Sequence, residues 1–127
     1  MSKSVSKILI KRAGAQEEAL ADHAELATTL ASRLIGLLSR ASLPAGEALV
    51  LAQCHSIHTV GMRFSIDVIF IDHAWRVVAL KPAVPPWRLV WPVQGAWGVI
   101  EMAVGAIQAC ALEAGDQLHL TDATQMS

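Results

Sequence analysis

Short runs of hydrophobic residues, many of them β-branched or aromatic, recur along the chain between polar turns. The strongest is IDVIFI at Ile66–Ile71, and a short polar link joins it to WRVVAL at Trp75–Leu80. Two such runs in succession predict an antiparallel β-hairpin. Weaker runs predict further strands at Val5–Lys11, Ala48–Leu51, Trp97–Met102 and Gln117–Thr121. The pattern therefore predicts a mainly β fold, either a sandwich or a partly open barrel of short antiparallel strands, with one or two short helices at its edge.

Two segments have helical features. The Ala-rich stretch Gly105–Leu112 predicts a short helix, because alanine is the best helix former. The stretch Glu17–Leu38 is compatible with two interpretations, a long helix or a strand followed by a helix that starts near Leu30 under a Thr28 or Thr29 cap. Apolar residues recur there at helical spacing, namely Leu20, Ala24, Ala27, Ala31, Leu34 and Leu38.

The length and the charge of the chain limit the number of domains and the kinds of partner that it can have. The chain has 127 residues, of which 54% are hydrophobic, enough for one domain with its own core and loose ends at 1–4 and 123–127. Ten basic and eleven acidic residues give a net charge of −1. The basic residues are scattered, so we expect no nucleic-acid partner.

The sequence also bears on the cellular compartment. No apolar run approaches the ~18 residues of a membrane span, and the run after the basic start is too short for a signal peptide. The two cysteines, Cys54 and Cys110, lie far apart and form no C-x-x-C pair. We therefore expect a cytoplasmic protein with reduced thiols and without a membrane span.

Four segments carry a family resemblance. They are RLIGLL at Arg33–Leu38, HTVGMRFSIDVIFID at His58–Asp72, VIEMAVG at Val99–Gly105, and Gly115–Asp116. In their order and spacing, which span about Leu20 to Leu120, they resemble the bacterial and archaeal family called domain of unknown function 192.

The resemblance implies a compact, mainly β domain of sandwich type in which a short helix carries RLIGLL. It also favours a strand at about Glu18–Ala27. It implies no established activity. Other members often carry an aromatic-Met-Lys-Asn segment just upstream of the Asp67 position, whereas this chain has His58–Arg63 there. A function of that Lys-Asn pair is therefore not expected to carry over.

The densest polar cluster is Cys54–Thr59. In an extended chain Cys54 and His58 share one face, and with Asp67 they would offer sulfur, nitrogen and oxygen ligands to a metal. A thiolate of Cys54 activated by His58 would instead be a nucleophile. The third interpretation is structural, with Cys54 a small core residue and His58 a hydrogen-bonded imidazole. We expect no cofactor.

Three charged residues stand among apolar neighbours, namely Arg33, Asp67 and Glu101. Charges in such contexts are costly unless they are paired. We therefore predict a structural charge cluster of these residues. In it, Asp67 or Glu101 is buried and bonded to a basic side chain or to several backbone N–H groups. The functional alternative is an anion site with Arg33 or Arg63 as donor.

The most unusual connection is Pro82–Pro92, in which four prolines accompany Trp87 and Trp91 and exclude a helix or a central strand. We predict a ligand site where it meets His55–Arg63. The candidate binding residues are His58, Arg63, Trp87, Arg88 and Trp91.

These features favour a small binding or accessory domain for an unknown protein or small-molecule partner, linked to cell-envelope or secretion machinery. The alternative is a metal-binding protein or an enzyme that uses Cys54, His58 and Asp67.

Overall fold

The computed structural model describes residues 6–27, 42–54 and 56–122. Over these ranges about half of the residues lie in strands and four lie in one short helix, which confirms the predicted mainly β class. The helix predicted at Arg33–Leu38 lies outside the described residues, whereas the short helix predicted after Gly105 is present. The elements in chain order are β1 (Ser6–Lys11), β2 (Glu18–Ala27), β3 (Glu47–Leu51), β4 (Ile57–His58), β5 (Ile66–Ile71), β6 (Val77–Val84), β7 (Leu89–Val90), β8 (Gly98–Ala103), α1 (Ala106–Ala109) and β9 (Gln117–Asp122).

The strands form two sheets. Seven of them lie in the order β6-β5-β8-β3-β2-β1-β9, and β4 pairs separately with β7. Neighbours are antiparallel except β2 and β3, which are parallel with His23 opposite Glu47. The expectation of antiparallel strands therefore does not hold for this one pair. Parallel neighbours need a long crossover connection, and residues 28–46 separate the two strands in sequence.

The outer strands of the large sheet, β6 and β9, meet at one end. A bridge pairs Arg76 with Gln117. The N–H of Val77 donates to the carbonyl of Asp116 at 2.9 Å, and the N–H of Leu118 donates to the carbonyl of Trp75 at 2.9 Å. The sheet is thus curled until its two edges touch, which is the geometry of a partly open barrel.

The predicted hairpin is confirmed, because β5 and β6 pair antiparallel with Ile69 opposite Leu80. The second arm begins at Val77 and continues through Pro82 to Val84. Proline is tolerated here because β6 is the last strand of the sheet.

The strand interpretation of Glu18–Ala27 is confirmed as well. Its buried residues, Leu20, Ala21 and Ala24, do not alternate as in a regular strand. The pairing with β1 shows the reason: Ser6 faces Ala24, Ile8 faces Ala21 and Leu9 faces Ala19, so β2 twice has one residue more than its partner. Each bulge moves the buried set by one position.

The core lies on both faces of the central strands. Ile69, Ile71, Ile100 and Met102 belong to the core on one face, which also holds α1 and β9 side chains. Val68, Phe70 and Val99 belong to the other core, which β4 and β7 cover. All six residues of β5 are buried, so this strand is a firm support for β6 and β8, which pair with it. Along the described ranges, no helix has the length and hydropathy that crossing a bilayer requires.

Candidate functional site

The two segments that were predicted to meet lie side by side. Strand β4 pairs antiparallel with β7, with Ile57 opposite Val90 and His58 opposite Leu89. The pairing continues beyond the strand ends, because the N–H of Thr59 donates to the carbonyl of Arg88 at 2.8 Å. Residues 57–59 and the Pro82–Pro92 loop therefore form one structural unit.

Strands β6 and β7 follow each other with only residues 85–88 between them, yet they pair with different partners. Strand β6 joins β5, while β7 joins β4. We call this pair of diverging arms, residues 77–93, the splayed hairpin. Between its arms lies an open groove of about 440 Å³. The described residues that line the groove are Lys81, Pro82, Ala83, Val84, Pro85, Arg88, Leu89, Val90, Trp91, Pro92 and Val93.

The buried carboxylate of Asp67 fixes the first arm. Its Oδ1 accepts the N–H of Ala83 at 2.9 Å, and its Oδ2 accepts the N–H groups of Gly105 at 3.1 Å and Ile107 at 3.0 Å. Opposite Asp67, β6 has an extra residue, because Ile66 faces Val84 while Val68 faces Lys81. Ala83 adopts a positive φ of 52° in this bulge. The carboxylate thus stabilises a bulge in which Ala83 has a backbone conformation that non-glycine residues rarely adopt.

The buried hydroxyl of Thr59 fixes the turn between the arms. Its Oγ1 donates to the carbonyl of Pro85 at 2.7 Å and accepts the N–H of Arg88 at 2.8 Å. The carbonyl of Thr59 accepts the N–H of Trp87 at 2.9 Å. Trp87 itself has a φ of 62°, which is unusual for a bulky side chain. Four hydrogen bonds from one residue, including that from its own N–H to Arg88, therefore stabilise a strained turn.

Large apolar side chains project from the second arm into solvent. Trp87 is 66% exposed, Leu89 60% and Trp91 75%, whereas Val90 between them is buried. Leu89 and Trp91 are two positions apart in an extended stretch, so their side chains point the same way, and Trp87 is exposed in the turn that precedes them. We call Trp87, Leu89 and Trp91 the aromatic face.

Comparison with known proteins places the chain in a family. Residues 10–120 match domain of unknown function 192, a family described as uncharacterized ACR. The chain belongs to this family. The match spans all four segments on which the sequence resemblance rests.

The curated relatives are archaeal members called UPF0127 proteins. That of Thermococcus sibiricus is 48% identical over 63 residues, which are 50% of this chain and 40% of the relative. That of Thermococcus gammatolerans is 38% identical over 98 residues, which are 74% of this chain and 63% of the relative. The matches thus span about two-fifths to three-fifths of these relatives' length.

Two solved structures share the fold. A protein from Sinorhizobium meliloti 1021, provisionally described as a transcription regulator, superposes with a TM-score of 0.76 at 15% identity, over 94% of this chain and 96% of that one. A protein of unknown function from Novosphingobium aromaticivorans DSM 12444 gives a TM-score of 0.73 at 19% identity, over 89% and 83% of the two chains. At these identities the likeness concerns the fold alone.

The candidate binding residues of this family member fall into two groups. Arg88 and Trp91 line the groove, and Trp87 lies on the aromatic face beside it. His58 lies across the strand pair from Leu89, and its Nδ1 accepts the N–H of Val60 at 3.3 Å. Arg63 is exposed on the connection between β4 and β5. Neither His58 nor Arg63 is among the described residues of the groove lining.

The alternative site of Cys54, His58 and Asp67 gains no support from the geometry. The Cys54 thiol donates to the carbonyl of Ser56 at 2.9 Å and borders a small recess beside His73 and Trp97. Asp67 already accepts three backbone N–H groups. Among the residues that the structure describes, no three His, Cys, Asp or Glu side chains gather as metal ligands. His55 lies outside the described residues.

The predicted burial of Asp67 and Glu101 is confirmed, since both are at most 1% exposed. The sheet separates them, however. Asp67 faces Met102 across β5 and β8, whereas Glu101 faces Val68, so the two carboxylates point to opposite faces. The two carboxylates therefore do not form one cluster. Arg33 lies outside the described residues, and its pairing with either of them stays a prediction.

A second polar network, which the sequence analysis did not identify, ties the end of α1 to the sheet. Arg12 donates to Asp116 at 3.0 Å, to the carbonyl of Cys110 at 2.9 Å and to Glu18 at 3.2 Å. Burial alone would raise the pKa of Asp116, but the hydrogen bonds from Arg12 and from the N–H of Glu113, with the Arg12 charge, lower it below its usual value. Burial, reinforced by Glu18, raises the pKa of the Cys110 thiol. That thiol is therefore held in its less nucleophilic, protonated form.

Sequence reasoning missed the residues that shape the groove, above all Thr59, Lys81 and Ala83. One available signal was Pro82, because a proline within a strand pattern marks an edge strand or a bulge. The role of Thr59 had no signal, since its partners, Pro85 and Arg88, are 26 and 29 residues away.

Proposed function

We propose that this chain is a recognition domain that binds an extended segment of a protein partner in the groove of the splayed hairpin. The observation that carries the proposal is the divergence of β6 and β7. Two strands with so short a connection ordinarily pair with each other. Here each pairs with another strand, and the gap between them suits an added extended segment, a common mode of peptide recognition.

The shape of the groove supports this proposal because it does not depend on a ligand. Asp67 holds Ala83 on one arm, and Thr59 holds Pro85 and Arg88 between the arms. Both anchors are buried, at 1% and 0% exposure. A preformed site binds more tightly, since less conformational entropy is lost on binding.

The aromatic face favours a protein over a small molecule. Binding sites for small molecules usually enclose most of the ligand. The groove is open instead, and its rim carries the exposed Leu89 and Trp91. Tryptophan is enriched where protein interfaces carry most of their binding energy.

The proposal also has to identify the protein that supplies the bound segment. The sequence hypothesis names the cell-envelope or secretion machinery, and that link stays a hypothesis. An array of heptapeptides tiled from such proteins, with scrambled peptides of the same composition beside them, tests the function and the link together. Selective binding of tiled over scrambled peptides is the expected result.

A matched pair of variants locates the binding. Leu89→Asp places a charge at the groove rim, and Leu26→Asp makes the same change at a 50% exposed leucine on β2. We expect Leu89→Asp to weaken binding at least about tenfold and Leu26→Asp to leave it unchanged. Circular dichroism checks that both variants fold. The proposal fails if no peptide binds the wild type, or if Leu89→Asp binds as the wild type does.

A further inference from the structure

The charged side chains among the described lining residues of the groove are both basic. Lys81 lies on the β6 arm and Arg88 at the start of the β7 arm, and both are exposed. The chain has eleven acidic residues against ten basic ones, yet none of the acidic residues is among the described lining residues. Within the described part of the chain, no ion pair engages Lys81 or Arg88.

Two other cations among the described residues, Lys11 and Arg12, are paired with acidic side chains. Near the β1–β2 turn, Lys11 lies 3.8 Å from Glu17, and Arg12 contacts Glu18 at 3.2 Å and Asp116 at 3.0 Å. The two groove cations differ from Lys11 and Arg12, because their charge is left to solvent or to a ligand.

We infer that the groove selects an acidic peptide, one whose apolar side chains enter the groove while its carboxylates lie near Lys81 and Arg88. This inference rests on the proposed function. The base of the Arg88 side chain is fixed, because its N–H and its carbonyl both bond to Thr59. From this fixed backbone the exposed guanidinium can meet a carboxylate with two parallel hydrogen bonds, and Lys81 adds a point charge on the opposite arm.

The same charges do not suit a nucleic acid. Nucleic-acid binding draws on many phosphate contacts, whereas this groove offers two cations among mostly apolar side chains. Apolar anchors with flanking charge match a peptide segment, in which charge adds selectivity and association rate more than raw affinity.

The test uses two acetylated, amidated peptides, Glu-Val-Leu-Val-Glu and its neutral analogue Gln-Val-Leu-Val-Gln. Their affinities are measured by tryptophan fluorescence and calorimetry at low and high salt. We expect the acidic peptide to bind roughly threefold to tenfold more tightly at low salt, with the difference fading as salt screens the charges. Lys81→Gln and Arg88→Gln each reduce the preference, while Lys11→Gln, with the same change in net charge, leaves it intact.

The outcomes separate this inference from the function beneath it. If both peptides bind the wild type equally, the charge inference is wrong and the recognition domain stands. If the acidic peptide binds better but Lys81→Gln and Arg88→Gln keep that preference, the inference is also wrong, because the selecting charge lies elsewhere. If neither peptide binds, nor any peptide of the tiled array, the proposed function fails and the inference with it.

Discussion

The splayed hairpin has an inner side, which faces the core, and an outer side, which faces solvent and holds the groove. The two sides are built from opposite kinds of residue. On the inner side, Asp67 and Thr59 are buried, and each bonds to several backbone groups. On the outer side, Trp87, Leu89 and Trp91 are mostly exposed. A domain that only needed stability would reverse this arrangement, since buried polar groups are costly unless bonded and exposed apolar groups gain nothing from folding. In this inverted arrangement polar residues set the shape of the loop, while the apolar residues of the aromatic face lie in solvent.

The sharpest test of the inner side is Asp67→Ala. It removes a buried carboxylate and leaves the N–H groups of Ala83, Gly105 and Ile107 without their acceptor, and we expect it to lower the free energy of unfolding by about 3–5 kcal/mol. Asp72→Ala is the matched control, because Asp72 Oδ1 also accepts two backbone N–H groups, but at the exposed turn between β5 and β6. It should cost about 1 kcal/mol. Urea denaturation measures both, and equal effects would contradict the distinction between buried and exposed anchors.

Thr59→Val removes the second anchor while keeping the side-chain shape. We expect a loss of about 1–3 kcal/mol in unfolding free energy, since the N–H of Arg88 and the carbonyl of Pro85 lose their partner. Peptide binding should weaken in parallel, because the turn relaxes. Thr59→Ser keeps the hydroxyl and loses one methyl group, worth about 0.8 kcal/mol, and should bind peptide as the wild type does. Normal peptide binding by Thr59→Val would show that the turn does not need its anchor.

Breaking the Arg12–Asp116 network should have a smaller effect on the free energy of unfolding, and one that depends on pH. The pKa of Asp116 is lowered in the folded state, so its stabilising contribution is present above the ordinary carboxyl pKa of about 3.9 and is lost as the pH falls through the folded value. Asp116→Asn should therefore destabilise the protein at neutral pH, and the difference from the wild type should shrink below about pH 4. Denaturation curves across this range check it. A difference independent of pH would assign the effect to packing.

The smallest change in the free energy of unfolding is expected for a substitution on the outer side. Trp91→Ala should change the free energy of unfolding by no more than about 0.5 kcal/mol, as for other exposed positions. Trp97, which is half-buried against the core, provides the contrast, and Trp97→Ala should cost clearly more. A loss with Trp91→Ala as large as with Trp97→Ala would mean that the aromatic face is part of the fold rather than a surface for a partner.

The local sequence pattern was sufficient to predict a strand where that strand pairs regularly with its neighbour. Ile66–Ile71 is β-branched or aromatic at most positions, and its pairing with the following run was predictable from the short link. Glu18–Ala27 was not predictable in this way, because two bulges place its buried residues at 20, 21 and 24, a spacing that imitates a helix. Only the family resemblance favoured the strand.

The site was predictable in outline. Tryptophans on a proline-rich connection pointed to the loop that lines the candidate groove, and its contact with the segment that contains β4 was expected. Its construction was not predictable, because it depends on hydrogen bonds between residues far apart in sequence, such as Asp67 with Gly105. The same long-range bonding explains why Asp67 resembled a metal ligand in the sequence: an isolated carboxylate in an apolar strand does not reveal its partners.

The carboxylate of Asp67 also links parts of the chain that would otherwise exchange their amide hydrogens independently. Its donors, Ala83, Gly105 and Ile107, lie 16, 38 and 40 residues away, in a bulge, a turn and a four-residue helix. Short elements of this kind usually open locally at little free-energy cost. Because all three N–H groups share one buried acceptor, their hydrogens should exchange with solvent through one common opening. The rim of the groove and the start of α1 would then belong to a single cooperative unit.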